Sequence, residues 1–391
     1  MITYDTVVIG GGIAGLLTAL RLARNGQAVA VVEADRLGSG ATCANHGMLH
    51  SGALYVRQHG HIVRHCREAA QAFSVLLTDA EIPTDEAVYV LPGAEVDNYV
   101  ALLDHHGIAY QATDSYHVDE LNRSAIHTHA LLRIRERAFS SRRIVATLAG
   151  QCLAAGVTII TGAAVNQIAV TSGKVTGVRL GATELLHARQ VVNAAGIGTA
   201  RLLADLGSRQ ASLLKSRLDM MIHFPSARLT RGFIFAELHR PVIMPAIGGG
   251  ALSSFFGGVQ PQITGRRTYP VDLHRAAALL RQTIDALTPE TIEPDAAVAY
   301  VAGKTDYIGS VHSENGVVNP GFHVIDHDTV DGLAGLHTVI TGKMTLAFHA
   351  SKAVADAILG ADLPLVVHPE NGRETPPALL AVEPWASPAR L

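Results

Sequence analysis

The histidine segment, from Gly40 to Val56, carries two histidines, His46 and His50, four residues apart. Imidazole has a pKa near neutrality, so a histidine here could hold a metal ion or accept a proton from a reacting hydroxyl group. A metal site needs further ligands, and an i, i+4 pair shares one face only on a helix. Gly47 and Gly52 argue against a helix, so the sequence predicts no metal site here. Two interpretations remain: a catalytic or cofactor-contacting histidine, or a loop histidine with satisfied hydrogen bonds.

A glycine-rich turn stands upstream of these histidines. The β-branched run 5–9 is followed by Gly10, Gly12 and Gly15 in GxGxxG spacing, by a helical pattern, and by a second strand that ends near Glu33. Gly10 permits the tight turn, Gly12 lets a pyrophosphate approach the backbone, and Gly15 lets the helix pack on the strand. The helix N-terminus favours phosphate, and Glu33 can accept hydrogen bonds from ribose hydroxyls. The sequence therefore predicts a Rossmann-like βαβ unit that binds a dinucleotide.

Further strand, turn and helix patterns occur at 188–207 and 335–360, whereas 85–93 and 206–295 are rich in strands and contain an amphipathic helix near 272–287. These patterns predict an α/β fold in which a Rossmann-like domain receives an inserted α+β domain built on an antiparallel sheet. The predicted boundaries are 1–75, 140–205 and 296–362 for the first domain, and 76–139 and 206–295 for the second. Residues 363–391, rich in proline and polar residues, are predicted to form an extended C-terminal tail that runs over the surface.

Composition excludes several classes of protein. A net charge of -3 provides no field for nucleic acid. The three cysteines are scattered singly, which argues against disulfides, a zinc site or an iron–sulfur cluster. The N-terminal apolar stretch is interrupted by glycines and Arg21, unlike a signal peptide or a membrane span. We therefore expect a cytoplasmic protein with no transmembrane segment.

Four segments in order, GGGIAG with Glu33, GATCANHGMLHSGALY, VVNAAGIG and FHVIDHDTVDGLAGLHTVITGKMT, resemble the glycine-oxidase-like or D-amino-acid-oxidase-like superfamily of FAD-dependent oxidoreductases. The resemblance covers residues 1 to about 360. Within that superfamily the sequence looks most like the catalytic subunits of anaerobic glycerol-3-phosphate dehydrogenases, with L-2-hydroxyglutarate oxidases next. The resemblance implies that the first domain binds FAD and the second binds substrate.

The resemblance also implies roles for individual residues. Val165 would hold the adenine through its backbone. The GKMT turn, residues 342–345, would face the pyrimidine carbonyls of the flavin, where Lys343 would stabilise negative charge. His50 is expected to act as the base or as an orienting hydrogen-bond donor, whereas His46 has a mainly structural role beside the flavin. Substrate contacts are expected from Tyr55, His223 and Lys304. The residues expected to bind FAD are Gly10, Gly12, Ile13, Ala14, Gly15, Glu33, Ala34, Ala41, Thr42, Asn45, His46, Gly47, Leu49, Val165, Ala195, Gly196, Gly342, Lys343, Met344 and Thr345.

The sequence departs from this subfamily where a phosphate would bind. Glycerol-3-phosphate dehydrogenases of this type clamp the phosphate with two arginines, and Leu54 and Lys304 stand at the matching positions. Lysine binds phosphate as a point charge and leucine does not bind it. The substrate is therefore expected to be a polyol, a sugar-like alcohol or a 2-hydroxy acid, oxidised at a CH–OH group by hydride transfer to flavin N5. The alternative is an FAD-dependent amine or amino-acid oxidase.

The route by which electrons leave is open. The subfamily carries a cysteine-bearing C-terminal extension toward electron-transfer partners, which these 391 residues do not contain. The electron acceptor is accordingly expected to be O2, a quinone or a soluble carrier.

Overall fold

A computed structural model describes residues 3–181, 184–237, 239–255, 271–308, 321–386 and the backbone of 389–390. Residues 256–270 of the predicted substrate domain lie outside the described residues, as do residues 309–320 of the predicted FAD domain.

The strands of the described part, numbered along the chain, are β1 (Thr3–Ile9), β2 (Val29–Val32), β3 (Met48–Leu49), β4 (Glu81–Ile82), β5 (Ala87–Pro92), β6 (Tyr110–Thr113), β7 (His129–Ile134), β8 (Arg137–Phe139), β9 (Thr158–Ile160), β10 (Val165–Thr171), β11 (Lys174–Leu180), β12 (Glu184–Asn193), β13 (Leu214–Phe224), β14 (Phe233–Phe235), β15 (Pro241–Ala246), β16 (Gly250–Phe255), β17 (Val298–Tyr307), β18 (His323–Asp326), β19 (Leu336–Ile340) and β20 (Ala389–Arg390). The helices of the same part are α1 (Ile13–Arg24), α2 (Val63–Leu76), α3 (Val96–His105), α4 (Ser141–Ala154), α5 (Thr199–Ala204), α6 (Leu273–Ala286), α7 (His327–Asp331) and α8 (Ala347–Leu359).

The first sheet is built around parallel strands. Its order is β10-β11-β12-β1-β2-β9, with β19 beside the C-terminal half of β12 and β18 beside β19. Strands β1, β2, β9, β12 and β19 run parallel to their neighbours in this core. The β2 residues VAVV are all buried, as expected of a parallel strand covered on both faces. Helix α1 packs between α4 and α8 on one face, which confirms the predicted mixed α/β fold with Rossmann-like character.

The second sheet is mostly antiparallel. Its order is β20-β17-β13-β16-β15-β14-β5-β7-β6, and the only parallel pair among these described strands is β14 with β5. Helix α6 begins after Asp272, whose side chain caps it, and its apolar face packs against β13, β15 and β16. A third, small sheet, β3-β8-β4, holds the segment that follows His46.

Two features differ from the sequence expectation. The predicted boundaries assign β17 to the first domain, but this strand pairs with β13 over ten positions and therefore belongs to the second sheet. The tail is expected to run over the surface, but Leu380 and Ala381 are buried in the core of the first domain. There the tail exchanges backbone hydrogen bonds with Leu37. Burial of the apolar side chains of Leu380 and Ala381 stabilises the folded state. The sequence does not predict this burial, because the tail forms neither an α-helix nor a strand there and so has no hydrophobic periodicity.

The chain passes between the two large sheets several times. Residues 3–32, 158–193 and 323–340 supply strands of the first sheet, and 87–134 and 214–307 supply strands of the second. Across the described residues, none of the helices is both long and apolar enough to cross a bilayer.

Candidate active site

A large cavity lies where the two sheets meet. Its volume is about 1660 Å³, above the roughly 300–1,000 Å³ of ordinary small-molecule pockets. The turn between β1 and α1, the end of β2, the histidine segment, the end of β12 and the turn after β19 form part of its wall. Strands β13 and β17 of the second sheet form another part. The cavity is large enough for a dinucleotide together with a small substrate.

The glycine turn has the geometry that its sequence predicts. Gly10 has a φ of +108°, and a Cβ on it would lie 2.4 Å from the carbonyl oxygen of Ala194. A Cβ on Gly15 would lie 1.9 Å from the carbonyl oxygen of Gly10, so helix α1 packs against its own turn. Gly12 lines the cavity, where a Cβ would come within 2.8 Å of Thr42 Oγ1. The Ile13 N–H at the start of α1 donates to Thr42 Oγ1 at 3.1 Å. Gly10 and Gly12 both line the cavity without a side chain, so a phosphate group can approach the backbone of this turn closely.

Glu33 is held in place at the end of β2. Its Oε2 accepts a hydrogen bond from the Gly11 N–H at 2.7 Å, and its Oε1 accepts one from the Asp35 N–H at 3.0 Å. Each carboxylate oxygen has more than one acceptor position, so the side chain can still accept hydrogen bonds from two ribose hydroxyls. Glu33 lines the cavity, as an acidic residue that binds ribose must.

The histidine segment is a tight loop. The Asn45 side chain accepts a hydrogen bond from the Gly47 N–H at 2.6 Å, and Gly47 has a φ of +67°. A Cβ on Gly47 would lie 2.3 Å from the carbonyl oxygen of Phe139, so strand β8 passes directly over this turn. The backbone N–H of His50 donates to Thr345 Oγ1 at 3.1 Å. This bond joins the histidine segment to the GKMT turn, 295 residues along the chain.

His50, Tyr55 and Lys343 lie together in the cavity wall. Nε2 of His50 lies 3.2 Å from the Tyr55 hydroxyl, and the Lys343 ammonium lies 5.6 Å from the centre of the Tyr55 ring. Nδ1 of His50 is buried and has no hydrogen-bond partner among the residues that the structure describes. Burial, together with the neighbouring His46 ring and the charge of Lys343, holds the pKa of His50 well below its usual range. The imidazole is therefore neutral at physiological pH.

His46 faces the second sheet. Its Nδ1 lies 3.3 Å from Ser254 Oγ on β16, and its ring lies 6.0 Å from that of His50. Burial and the nearby Lys304 and Lys343 lower the pKa of His46 to about 3. It is thus a neutral side chain that joins the histidine segment to the second sheet.

A charged cluster lines the side of the cavity formed by β13 and β17. Arg217 Nε donates to Asp306 Oδ2 at 2.5 Å and the same guanidinium pairs with Asp219, which also pairs with Lys304 at 2.5 Å. Burial opposes ionisation of Asp219, but Lys304 and Arg217 outweigh it and hold the pKa of this carboxyl well below its usual range. Burial, with Arg217 and Lys304 nearby, lowers the pKa of Lys343 to about 8. Three cations and two carboxylates meet here, so the cluster carries an excess of positive charge.

Most of the residues predicted from the sequence lie on this cavity, although their individual roles stay predictions. Those lining it are Gly10, Gly12, Ile13, Ala14, Glu33, Ala34, Ala41, Thr42, Asn45, His46, His50, Tyr55, Val165, Ala195, Gly196, Lys304, Gly342, Lys343 and Met344. Those not lining it are Gly15, Gly47, Leu49, Thr345 and His223. Gly15, Gly47 and Thr345 act through the packing and hydrogen bonds described above, and Leu49 is a core residue of β3.

His223, which the sequence predicts to contact the substrate, is not among the described residues that line the cavity. Its ring stacks on Trp385 of the C-terminal tail, with the ring centres 4.3 Å apart and the planes 15° from parallel. Burial lowers the pKa of His223 to about 4. The ring of His223 is therefore covered by Trp385, although the sequence predicts that the tail runs over the surface.

Arg217, Asp219 and Asp306 line the cavity but are not among the residues predicted from the sequence. Alternate residues of a strand face the same side of a sheet, so the patterns Arg217-x-Asp219 and Lys304-x-Asp306 each predict a cation and a carboxylate on one face. That signal is present in both strands. The pairing that brings the two strands together is not readable, because the partners lie 87 residues apart (304 minus 217).

The Rossmann-like sheet, the glycine turn and the cavity together are those of a dinucleotide-binding α/β protein. The family model for FAD-dependent oxidoreductases matches residues 5–340, and the chain belongs to this family. It is 26% identical to a curated relative from Escherichia coli (strain K12), one of the subunits of anaerobic glycerol-3-phosphate dehydrogenase. That match covers 90% of this chain and 66% of the relative, so the chain spans just under two thirds of the length of that protein.

Solved structures share the fold. Glycine oxidase from Geobacillus kaustophilus superposes with a TM-score of 0.72 at 19% identity, covering 93% of this chain and 96% of that one. L-amino acid deaminase from Proteus vulgaris gives a TM-score of 0.73 at 13% identity, covering 92% and 94%. FAD is the cofactor of the family, and the open glycine turn, the oriented Glu33 and the size of the cavity all fit it.

Proposed function

We propose that this oxidoreductase oxidises the CH–OH group of a small polar substrate, and that the substrate is a 2-hydroxy acid rather than a neutral polyol. The observation that carries the proposal is the neutral, buried imidazole of His50 in the cavity wall, with Nδ1 unpartnered within the described part of the chain. When bound, FAD supplies the acceptor for the hydride and its two electrons, which no side chain of the cavity can supply.

The role of His50 is to take the hydroxyl proton. If Nε2 donates to the Tyr55 oxygen, Nδ1 is left as an acceptor, and burial holds the pKa of the Tyr55 phenol well above its usual range so that Tyr55 does not compete for the proton. A hydroxyl must lose its proton as the carbonyl forms, whereas a neutral amine needs no base to lose hydride from its α-carbon. A neutral base at this position therefore favours an alcohol over an amine.

The role of the charged cluster is to hold a substrate anion. Lys304 and Arg217 line the cavity beside two carboxylates, and Lys343 adds a third positive charge. The net positive charge favours a substrate with one carboxylate over a neutral polyol. Leu54 also lines the cavity and offers no charge, so the anion is held from β13 and β17 rather than from the histidine segment.

The test compares matched substrates. The purified flavoprotein is mixed without oxygen with a 2-hydroxy acid, with the 2-amino acid of the same carbon skeleton, and with the corresponding neutral diol, over a series of chain lengths. Bleaching of the flavin absorbance by hydroxy acids only is the expected result. Bleaching by the amino acids instead would establish the amine-oxidising alternative, and bleaching by the diols alone would contradict the assignment of an anionic substrate.

A further inference from the structure

We propose that His65, Glu68 and His349 bind one divalent transition-metal ion of the zinc class, which clips α2 to α8. His65 and Glu68 lie on α2, and His349 lies on α8. None of the three lines the large cavity, so the site is separate from the one described above.

The three side chains converge from two helices. His65 and Glu68 are three residues apart on α2 and therefore share one face of the helix. His349 Nε2 lies 3.0 Å from Glu68 Oε2, and the ligand atoms of all three residues lie within 4.8 Å of one another. Ligand atoms at about 2.0–2.1 Å from a tetrahedral zinc ion lie roughly 3.3 Å apart. The His349 and Glu68 atoms are already close to that separation, and the His65 nitrogen lies within 4.8 Å of both.

The surroundings favour neutral imidazoles. The Phe322 ring lies 5.5 Å from the His65 ring and 5.8 Å from the His349 ring, so an apolar wall backs both. Burial lowers the pKa of both histidines, against the charge of Glu68, and the neutral imidazole is the form that binds a metal. Arg64, also facing the cluster, pairs with Glu68 Oε1 at 2.9 Å and leaves Oε2 for an ion.

An ion can reach this site. The Glu68 side chain is 39% exposed whereas that of His349 is 9% exposed, so the cluster has a solvent side and a buried side. Two imidazoles and one carboxylate suit zinc and its first-row neighbours, whereas calcium and magnesium prefer sets made of oxygen ligands. Three protein ligands leave a position for water on the exposed side.

The site would couple two segments of the active site. Helix α2 follows the histidine segment, and α8 follows the GKMT turn. Tyr55, Cys66 and Leu346 already pack in one small cluster between them. A metal ion joining α2 to α8 would therefore restrain the two segments that carry His50 and Lys343.

The experiment uses the flavin-loaded protein after treatment with a chelator and buffer exchange. Zinc is added, free zinc is removed by equilibrium dialysis, and bound zinc is measured by mass spectrometry together with the Tm. We expect one more zinc ion per chain in the parent than in His349→Ala or His65→Ala, and a zinc-dependent rise in Tm only in the parent. His274→Ala, which changes an exposed histidine on α6, is the matched control and keeps the parent stoichiometry.

When calcium replaces zinc in this experiment, we expect no bound calcium in the parent or in the variants. Retained flavin absorbance shows that a variant is folded, and His65→Ala, at a half-buried position, provides a second variant if His349→Ala loses its flavin. Equal zinc content in the parent and a folded ligand variant would overturn the proposal, as would a parent without tightly bound zinc.

Discussion

Arg217 lies directly opposite Lys304 in the antiparallel pair formed by β13 and β17. Each cation has a carboxylate two residues further along its own strand, Asp219 and Asp306, and the four side chains form one ion-pair network. The network gives the cavity two fixed cations on the second sheet. These cations supply positive charge to the cavity. The histidine segment does not supply it at position 54, where the side chain is Leu54.

The Lys304 ammonium is expected to bind the substrate anion. Lys304→Met should lower kcat/KM for the 2-hydroxy acid by on the order of 10- to 100-fold, mainly through KM, because one charge-assisted contact is lost in both ground and transition states. Steady-state kinetics measure the effect, and Lys174→Met at an exposed position of β11 is the control. A fall confined to kcat would contradict a binding role.

The His50 imidazole is expected to accept the hydroxyl proton. His50→Ala should retain FAD but lower the rate of flavin reduction by on the order of 100-fold or more. Stopped-flow mixing without oxygen measures that rate directly, and His274→Ala serves as the surface control. An unchanged reduction rate in the flavin-loaded variant would reject His50 as the base.

The pH dependence is expected to report Lys343. Its pKa is lowered to about 8, so its positive charge is present below that pH and is lost as the pH rises through it. Flavin reduction should therefore decline above pH 8, whereas His50, already neutral, gives no limb near pH 6.5. Lys343→Arg keeps the charge and should extend the plateau past about pH 9, because the guanidinium stays protonated. The same descending limb in that variant would assign the ionisation to another group.

Glu136 is expected to make stability depend on pH. It accepts hydrogen bonds from the Ser51 N–H and hydroxyl and from the Tyr89 hydroxyl, but burial outweighs them and raises its pKa from 4.5 to about 7. The folded state then binds more protons than the unfolded state between these two values, so this group weakens folding as the pH rises through that window.

Glu136→Gln removes the titration. The free energy of unfolding of the variant, relative to the parent, should therefore rise by on the order of 3 kcal/mol between about pH 5 and pH 8. Urea denaturation at the two pH values measures the difference, in which contributions from groups unaffected by the substitution cancel. A pH-independent difference would show that Glu136 titrates alike in the folded and unfolded chains.

The C-terminal tail is expected to contribute to stability. Leu380 is 5% exposed in the core of the first domain, so Leu380→Ala should lower the free energy of unfolding by about 2–3 kcal/mol. Val382→Ala, at a neighbouring position that is 54% exposed, should change it by less than about 0.5 kcal/mol. Denaturant titration measures the free energy of unfolding of the two variants. An equal change in both would contradict a core position for Leu380.

Sequence patterns predict the parts of this fold whose elements follow one another directly along the chain. The β1–α1–β2 unit, with Gly10, Gly12 and Glu33, is readable because a strand, a glycine turn and a helix follow one another directly. The face-to-face placement of β13 and β17 is not readable, because register between strands distant in sequence depends on packing across the sheet. The same limit explains His223, whose neighbour Trp385 lies 162 residues later (385 minus 223).

The repeated passage of the chain between the two large sheets has a consequence for protein synthesis. During translation, β1, α1 and β2 can form early. The cavity wall also contains residues 339–344, which leave the ribosome only after strands β13 to β17 of the second sheet. A nascent chain that stops before those residues exposes the glycine turn without the surface that would enclose a bound dinucleotide. We therefore expect the protein to retain its cofactor only once translation has passed residue 344.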